Sequence, residues 1–356
     1  MIRDVSYRVA VLRNGGEVSA LSWAAGNDPT VYFDASGEIK SSFSGEFYVN
    51  PIVDLLSDEI QPILTVDGTE YPLGVFRAAT VTTTVTKYGK TVKVEAYDRC
   101  WLLKSNKTQT RVHYAKGTSY LTVVQQILTT CGVALAITTA SAAMLATDRE
   151  DWEIGTDYLT ICNDLLAEIN YKPVWFDVQG IAHIEPYTQA LAANIKHRYG
   201  GTEILRPISA DASEETDIFS TPNVFVCVCS NPDLDDALVA TAVNESPSSA
   251  TSTFKRNMRI VQVTKVDNVA SQEELQTIAN RLMSESQQTV KTISFETFSE
   301  GNHGIGDAVS IDHPDIGGIY EETAWSITLG AGELMKHTAK RTVIACCLLY
   351  TSPSPR

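Results

Sequence analysis

Alternating apolar and polar positions run through the first hundred residues and predict short β-strands joined by tight turns. Residues 5–12 and 18–24 form two such runs around Asn14-Gly15-Gly16, which is typical of a β-hairpin turn. Further strands are predicted at residues 31–33, 42–49, 60–66, 71–76, 80–87 and 91–97. Many short strands with tight turns indicate an antiparallel sandwich or barrel, and we assign residues 1–108 to this first domain.

The pattern then changes to apolar residues spaced three and four apart, which is typical of amphipathic helices. Two such segments begin alike, with GTSYLT from Gly117 and GTDYLT from Gly155. In each, the glycine permits a sharp turn, and Thr118 and Thr156 are the predicted N-caps. Short strands are expected at residues 133–137, 174–178 and 181–184. Residues 109–188 are therefore predicted to form an α/β insertion domain with two amphipathic helices and a hairpin.

Strand patterns resume after the insertion, and residues 189–345 are predicted as a second β-domain whose strands are candidates to join the first. Its strands are expected at residues 224–229, 258–266, 291–298, 308–312 and 324–329, with an exposed loop at 244–253. One helix, residues 271–287, begins at a capping box formed by Ser271 and Glu274. Its buried stripe is predicted to consist of Leu275, Ile278, Ala279, Leu282 and Met283.

Composition indicates a globular protein with a strongly acidic balance. The 356 residues are 44% hydrophobic and 20% charged, with a net charge of −15 and a pI of about 4.8. Such a charge opposes binding to phosphate backbones, although it suits a wall past which DNA moves without sticking. No run of about 18 apolar residues predicts a membrane span. The seven scattered cysteines fit synthesis in a reducing cytoplasm.

The final segment resembles translated sequencing adapter rather than protein. Residues 347–356 read as one frame of a transposon adapter used in library preparation, and Cys346 is doubtful for the same reason. We therefore expect residues 346–356 to be an artefactual tail and the natural chain to be interrupted near Ala345. No functional argument rests on this end.

Several groups of residues could carry chemistry, but none has a specific spacing. Cys227 and Cys229 could place two thiolates on one strand face, although without a second pair they are interpreted as small core residues. An oxygen-rich group suggests calcium but lacks the glycine and terminal glutamate of an EF-hand, and is interpreted as an exposed acidic loop. It comprises Asn231, Asp233, Asp235 and Asp236.

Two further groups of residues could form functional sites. A Gly-rich region contains His303, Asp307, Asp312, His313 and Asp315, which could converge on a metal but are interpreted as polar turn residues. Carboxylates around Trp152 could form a glycosidase-like pair; the simpler interpretation places them at a helix N-terminus, with Trp152 packed on the core. These acids are Asp148, Glu150, Asp151 and Glu153. The sequence thus assigns no catalytic, cofactor-binding or metal-binding residue and predicts no enzyme.

An ordered set of motifs spanning nearly all of residues 1–345 resembles the baseplate hub, or tail-tip, proteins of tailed bacteriophages and prophages (the late control D-like group). The motifs are EYPLGVF at 70–76, VEAYD at 94–98, Leu102-Leu103, the two Gly-Thr helix starts, NDLLAEINY at 163–171, EPY at 185–187, GDAV at 306–309, WSITL at 325–329 and MKH at 335–337. Residues 190–222 depart from the pattern.

This resemblance implies a fold that is α+β but mainly β: two tail-tube-like antiparallel β-barrels with an α/β insertion domain. It implies a structural virion protein that forms a ring, commonly a homotrimer, connects the tail tube to the spike or tip, and lines part of the DNA ejection conduit. The implied partners are copies of itself, the tail tube or distal tail protein, the spike or tip protein and the tape-measure protein, with DNA passing through without specific binding. No cofactor is implied, and the expected location is the virion tail after synthesis in the bacterial cytoplasm.

Two functions from other classes remain open at this point. One is a tail-associated cell-wall hydrolase or peptidase, for which the carboxylates near Trp152 would be the first candidates. The other is a carbohydrate-binding receptor module at the tail tip, because β-rich tips often bind sugars. Turnover of peptidoglycan would favour the first, and exposed aromatic residues on one face would favour the second.

Overall fold

In the computed structural model the described residues are 3–87, 89–188, 195–201, 212–216, 221–229, 237–266, 269, 271–288 and 291–341. The first segment is built from strands, as its alternating pattern predicts. They are β1 (Val5–Arg13), β2 (Gly16–Leu21), β3 (Thr30–Asp34), β4 (Ser41–Tyr48), β5 (Glu59–Val66), β6 (Thr69–Pro72), β7 (Phe76–Thr86) and β8 (Gly89–Tyr97).

The first hairpin follows directly from its turn residues. Asn14 and Gly15 have φ angles of 53° and 79°, the left-handed conformation that asparagine and glycine adopt most readily. The strand predicted at 71–76 is shorter than expected. It ends at Pro72, which has no N–H to donate to a sheet, and Gly74 has a φ of 135° before the next strand begins.

Helices enter after β8, as the three-and-four spacing predicts. The elements are α1 (Cys100–Ser105), α2 (Tyr120–Thr130), β9 (Ala136–Thr138), α3 (Tyr158–Glu168), β10 (Trp175–Phe176) and β11 (Ala182–Ile184). The central strand β11 pairs antiparallel with β10 and parallel with β9. We call this sheet, with α2 and α3, the first α/β unit.

The predicted N-caps of these two helices are wrong by one residue. Ser119 precedes α2 without a side-chain capping hydrogen bond, and Asp157 caps α3 by accepting the N–H of Thr160 at 2.9 Å. Thr118 and Thr156 stay outside the helices, because their carbonyls accept the N–H groups of Leu145 and Thr108. Gly117 and Gly155 do make the expected turns, with φ angles of 81° and 94°.

The remaining elements contain more regular structure than the sequence predicts. They are β12 (Ile195–Gly200), β13 (Ser213–Thr216), β14 (Val224–Cys229), β15 (Leu238–Val243), α4 (Thr253–Arg256), β16 (Val261–Val266), α5 (Gln272–Gln288), β17 (Lys291–Phe298), β18 (Ala308–Asp312), β19 (Gly318–Thr328) and β20 (Leu334–Arg341). The helix starts as predicted, since the hydroxyl of Ser271 accepts the N–H of Glu274 at 3.1 Å. Its predicted stripe faces the β14 sheet.

The segment predicted as an exposed loop at 244–253 is partly buried. Asn244 is 1% exposed, and its side-chain amide donates to Ser249 and Thr251. Asn223, fully buried, donates to the carbonyls of Thr251 and Met258. The two asparagines thus hold the base of this loop inside the protein, while Ser248 stays exposed.

The N-terminal and C-terminal strands share one large, mostly antiparallel sheet. Its order is β13-β17-β20-β19-β3-β4-β8-β7-β5-β1-β2, with β18 beside β19, β12 beside β18 and β6 beside β5. The junction is the antiparallel pair β3 and β19, in which Phe33 stands opposite Trp325. Among the described strands this pairing forms an open path and not a closed ring, so the two barrels and the domain boundaries stay predictions.

A second sheet has the same mixed pattern as that of the first α/β unit. Its central strand β14 pairs antiparallel with β15 and parallel with β16, and α5 covers one face. We call β14–β16 with α5 the second α/β unit. In the described part of the chain, no helix has both the length and the apolar character needed to cross a membrane. The expected artefactual tail, 346–356, lies outside the described residues.

Candidate functional site

The two cysteines on β14 are core residues, as interpreted from the sequence. Cys227 and Cys229 are fully buried, form no disulfide and pack in the core under α5. Burial raises the pKa of Cys227, as expected for a thiol among apolar neighbours. The four residues considered for calcium, Asn231, Asp233, Asp235 and Asp236, lie outside the described residues.

Three of the four carboxylates around Trp152 have basic or backbone partners, and none of the four lies in the first turn of α3, so the interpretation as helix N-terminal residues is wrong. Asp148 accepts the N–H of Lys116, Glu150 contacts His113, and Asp151 pairs with Arg149. An isolated antiparallel β-bridge between Tyr114 and Arg149 brings these two segments together. Trp152 does pack on the core: it is 7% exposed, and its Nε1 donates to Asp164 at 2.8 Å.

Beneath these acids lies a buried ion pair that the sequence does not indicate. Arg149 Nη1 contacts both carboxylate oxygens of Glu168, at 2.6 and 2.7 Å, and Tyr120 donates its hydroxyl to the same carboxylate. All three side chains are nearly inaccessible. Burial raises the pKa of Glu168 even though Arg149 opposes that shift. The groups satisfy one another, so this cluster stabilises the insertion and offers nothing to a ligand.

Of the residues in the Gly-rich region that were candidates for a metal site, His303 and Asp307 contact ionisable side chains outside their own turn. The ring of His313 accepts the N–H of Asp315 within a local turn, as the turn interpretation predicts. Asp307 instead accepts the N–H of Gly304 and pairs with Lys196 at 2.6 Å. His303, 5% exposed, belongs to a cluster whose other members come from distant parts of the chain.

This cluster centres on Glu322 of β19, whose carboxylate lies between two imidazoles. Its Oε2 accepts from His303 Nδ1 at 2.5 Å, and its Oε1 accepts from His337 Nδ1 at 2.6 Å. The other nitrogen of His337 contacts the hydroxyl of Thr297 at 2.8 Å. All four side chains are buried, with Glu322 at 1% exposure. Both oxygens of Glu322 are therefore in use.

Charges in this cluster favour one ion pair. Burial lowers the pKa of His303, but the carboxylate of Glu322 raises it by more. Burial likewise raises the pKa of Glu322, and the two histidines more than reverse that shift. Burial lowers the pKa of His337, although its hydrogen bond to Glu322 opposes that shift. In a buried site without solvent, the least costly arrangement is one protonated imidazole and one neutral imidazole on either side of the carboxylate.

Two further groups extend the cluster toward the surface. The ring of His197, on β12, stacks on that of His303 with centroids 4.0 Å apart and planes 5° apart. Its Nδ1 lies 3.6 Å from Oε2 of Glu300, in the loop after β17. Sequence reasoning missed these residues because they are separated by up to a hundred positions, and no local spacing could have indicated their meeting.

The outer face of the second α/β unit is apolar and partly exposed. Val224, Val226 and Val228 of β14 lie on the face away from α5, where Val228 stands opposite Val239, and Val224 and Val226 stand opposite Val261 and Val263. Val239, Val261 and Val263 are 50%, 53% and 59% exposed, whereas Val224 is buried. We call these six residues the valine face; Thr241 and Lys265 lie on the same face. Exposed valines grouped on a sheet are typical of a protein interface.

A second exposed feature is the hairpin of β7 and β8. Residues 80–86 of β7 are exposed along their length, and they pair with β8 in register from Thr80–Glu95 to Thr86–Gly89. Val85 near the tip is 75% exposed. We call residues 80–95 the hairpin arm. Since β8 also pairs with β4 and packs Val92 and Val94 in the core, the exposed part of the arm is β7 with the turn, and an exposed strand edge is suited to contact another protein.

Several solved structures with this fold are tail proteins. The tail protein of Neisseria meningitidis MC58 is 13% identical, with a TM-score of 0.66 over 94% of this chain and 97% of that one. The 43 kDa tail protein of prophage MuSo2 from Shewanella oneidensis is 9% identical, with a TM-score of 0.66 over 95% and 99%. Prophage tail protein gp18 of Listeria monocytogenes EGD-e is 12% identical, with a TM-score of 0.58 over 94% of both.

No protein-family model and no curated protein sequence matches the chain. At these low identities the structural likeness shows the fold, and it confirms the resemblance to phage and prophage tail proteins that the sequence motifs indicated. The structural neighbours also include a component of the Escherichia coli type VI secretion system, with a TM-score of 0.51. The mainly β character is confirmed as well.

Proposed function

We propose that the chain is a structural protein of a phage or prophage tail baseplate, acting as a hub or tail-tip ring that connects the tail tube to the spike or tip. The observation that carries this proposal is the shared fold over almost the whole length of both chains, with a TM-score of 0.66 to each of two tail proteins. A likeness that covers both chains nearly end to end indicates the same arrangement of parts, and not one shared domain.

The ring is proposed to be a homotrimer in which each chain contributes two barrel-like halves. Support comes from the valine face and the hairpin arm, which expose apolar and backbone groups that a single chain leaves uncovered. We assign the valine face to contact with a neighbouring copy and the hairpin arm to the tail tube or distal tail protein. The spike or tip protein and the tape-measure protein are the remaining partners in the proposal.

A conduit for DNA is consistent with the net charge of −15. DNA that must move during ejection would be slowed by basic side chains that bind its phosphates, and an acidic wall avoids this. In this proposal DNA passes through the ring without specific binding. The protein is made in the bacterial cytoplasm and ends in the virion tail.

A non-enzymatic role is part of the same proposal. The carboxylates near Trp152, which motivated the hydrolase alternative, are engaged by Lys116, His113 and Arg149. A glycosidase needs two carboxyl groups facing one substrate bond, with one of them protonated. The paired acids here do not offer that arrangement, so no residue favours the enzyme alternative.

The proposal is tested by the assembly state of the purified full chain. Native mass spectrometry and light scattering across a range of protein concentrations are expected to show a trimer, and electron microscopy is expected to show rings. Mixing with the tail-tube protein encoded beside it should extend the rings into tubes. A chain that stays monomeric at high concentration and ignores the tube protein would overturn the proposal, as would turnover of peptidoglycan by the purified chain.

A further inference from the structure

Among the described residues, three buried side-chain nitrogens have no hydrogen-bond partner, and one of them belongs to a ring stacked on His303. It is Nδ1 of His197, a residue 4% exposed on β12. An unsatisfied polar atom in the interior costs about 1–3 kcal/mol, so proteins seldom leave one without a purpose. The nearest acidic atom is Oε2 of Glu300 at 3.6 Å, which is too far for a hydrogen bond.

His303 has a second ring nitrogen, Nε2, that is not used by Glu322. Its Nδ1 donates to Glu322, and this fixes the ring so that Nε2 carries the lone pair when the imidazole is neutral. The hydroxyl of Tyr199 approaches Nε2 only to 3.4 Å. A carboxylate that holds one histidine nitrogen while the other faces a ligand is the arrangement found around protein-bound zinc.

We propose that His197 Nδ1, the Glu300 carboxylate and His303 Nε2 bind a divalent transition-metal ion of the zinc class. One ligand atom from each of these residues lies within 4.8 Å of the others. Two atoms sharing a tetrahedral zinc at about 2.0–2.1 Å are roughly 3.3 Å apart, close to the 3.6 Å between His197 and Glu300. Binding requires the stacked rings of His197 and His303 to tilt toward one point.

The other group of potential ligands, His303 with Glu322 and His337, is less suited to an ion. Both oxygens of Glu322 accept short hydrogen bonds, and His337 uses its second nitrogen on Thr297. A metal there would have to displace several satisfied contacts. At His197 it would instead satisfy an atom that has none.

An entry path leads to the proposed site. A surface cavity of about 320 Å³ is lined by His197, Glu300, Gly301 and Asn302, and also by Val66, Tyr71 and two cationic residues, Arg3 and Lys196, the latter paired with Asp307. The loop carrying Glu300 and His303 is held by close packing, because a Cβ at Gly301 would lie 2.3 Å from Cγ of Tyr71. The cavity leaves room for water as a fourth ligand. Two imidazoles and one carboxylate favour zinc, cobalt or nickel over magnesium or calcium.

The effect of the ion would be to tie three distant parts of the chain together. His197 lies on β12, Glu300 and His303 lie between β17 and β18, and Glu322 on β19 holds His303 from behind. Among the described strands, β12 pairs with β18 alone. An ion here would therefore link β12, at the edge of the sheet, to the neighbouring loop. The proposed role is structural.

The test uses the full chain, stripped with a chelator and titrated with Co²⁺ and Zn²⁺. Wild type is expected to bind one equivalent, to show the visible absorption of Co²⁺ in a low-symmetry nitrogen and oxygen site, and to unfold at higher temperature with Zn²⁺. Glu300→Gln and His197→Ala are each expected to weaken binding at least tenfold, since losing even an outer hydrogen-bonded partner costs about 10–100-fold.

The matched control is His113→Ala, which removes a half-exposed histidine that also contacts a glutamate. It should bind Co²⁺ as wild type does. Circular dichroism checks that each variant folds, and Glu300→Gln preserves shape if His197→Ala does not fold. The proposal is overturned if wild type binds no more Co²⁺ than the Glu300→Gln variant, or if the control loses as much affinity as the site variants.

Discussion

The two α/β units have the same strand pattern but differ in what covers them. In each, a central strand pairs antiparallel with one neighbour and parallel with the other, and helices cover one face. The first unit has strands of two or three residues, and its outer face is a single row of Trp175, His183 and Ile137. The second has six-residue strands whose outer face consists largely of valine.

The hydrophobic cores between sheet and helices also differ between the two units. The first unit shares a large core with α1 and contains the satisfied ion pair of Arg149 and Glu168. The second has a smaller core, centred on Leu275, Ile278 and the two cysteines of β14. The first unit is thus stabilised mainly by its own contacts. Among the described residues, the second unit leaves apolar surface exposed, and the proposed ring assembly would cover it.

The sharpest test replaces one valine by aspartate. Val263→Asp places a charge at the centre of the valine face, and we expect loss of the oligomer because a buried unpaired charge is very costly at an interface. The isolated chain should stay folded, since substitutions of exposed residues usually change stability by less than about 0.5 kcal/mol. Light scattering and thermal unfolding measure the two effects.

The matched control is Ile137→Asp on the outer face of the first unit. Ile137 is 53% exposed and Val263 is 59% exposed, so the substitutions are equivalent for the single chain. We expect Ile137→Asp to leave assembly unchanged. If both variants assemble equally well, or both fail, the distinction between the two units is wrong.

A smaller effect is expected from removing a charge inside the first unit. Glu168→Gln leaves Arg149 buried without its full counter-charge and should lower the free energy of unfolding by about 3–5 kcal/mol. The control in the second unit is Glu285→Gln, where a 42% exposed carboxylate pairs with Arg281 one helical turn away. That change should cost less than about 0.5 kcal/mol in urea unfolding. Equal losses would contradict the comparison.

Helix caps give a third and weaker effect. Asp157→Ala removes the side-chain cap of α3, and Ser271→Ala removes that of α5, each at a cost of about 1 kcal/mol. Ser119→Ala should cost clearly less, because Ser119 makes no side-chain capping hydrogen bond. Urea unfolding of the three variants checks this order. A loss for Ser119 as large as that for Asp157 would refute the assignment.

The smallest expected effect depends on pH. Burial raises the pKa of Asp157, but the hydrogen bonds from Thr160 and then Lys104 together lower it by a larger amount. The pKa of Asp157 therefore lies below its ordinary value of 3.8. Because the folded-state pKa is depressed, the stabilisation is complete above 3.8 and is lost as pH falls through the folded-state pKa. Ser271 has no charge and should cap α5 at every pH.

Hydrogen exchange checks this difference between the helices. Protection of the Thr160 amide should fall on acidification toward and below pH 3.8, relative to protection of the Glu274 amide. The Asp157→Asn variant, which keeps a neutral acceptor, should remove the difference in pH dependence. A parallel fall at both amides in the wild type would assign the effect to general unfolding instead.

Local periodicity was enough to predict most elements. The hairpin at Asn14-Gly15, the buried stripe of α5 and the core positions of Cys227 and Cys229 follow from turn chemistry and spacing within about twenty residues. The errors arose where distant segments intervene. Backbone pairing with Leu145 and Thr108 moved both N-caps by one residue, and hydrogen bonds of Asn223 and Asn244 bury part of the loop at 244–253.

The sequence by itself determined the short strands, the amphipathic helices and the acidic balance, because each depends on neighbouring residues or on composition. Tertiary structure decided that β3 pairs with β19 and that His197, Glu300, His303, Glu322 and His337 meet. It also decided which face of β14 is covered. Its sequence, VFVCVC, is apolar on both faces, and only the position of α5, some forty residues later, leaves the valines exposed. Contacts between distant segments are selected by packing of the whole chain, which local patterns do not encode.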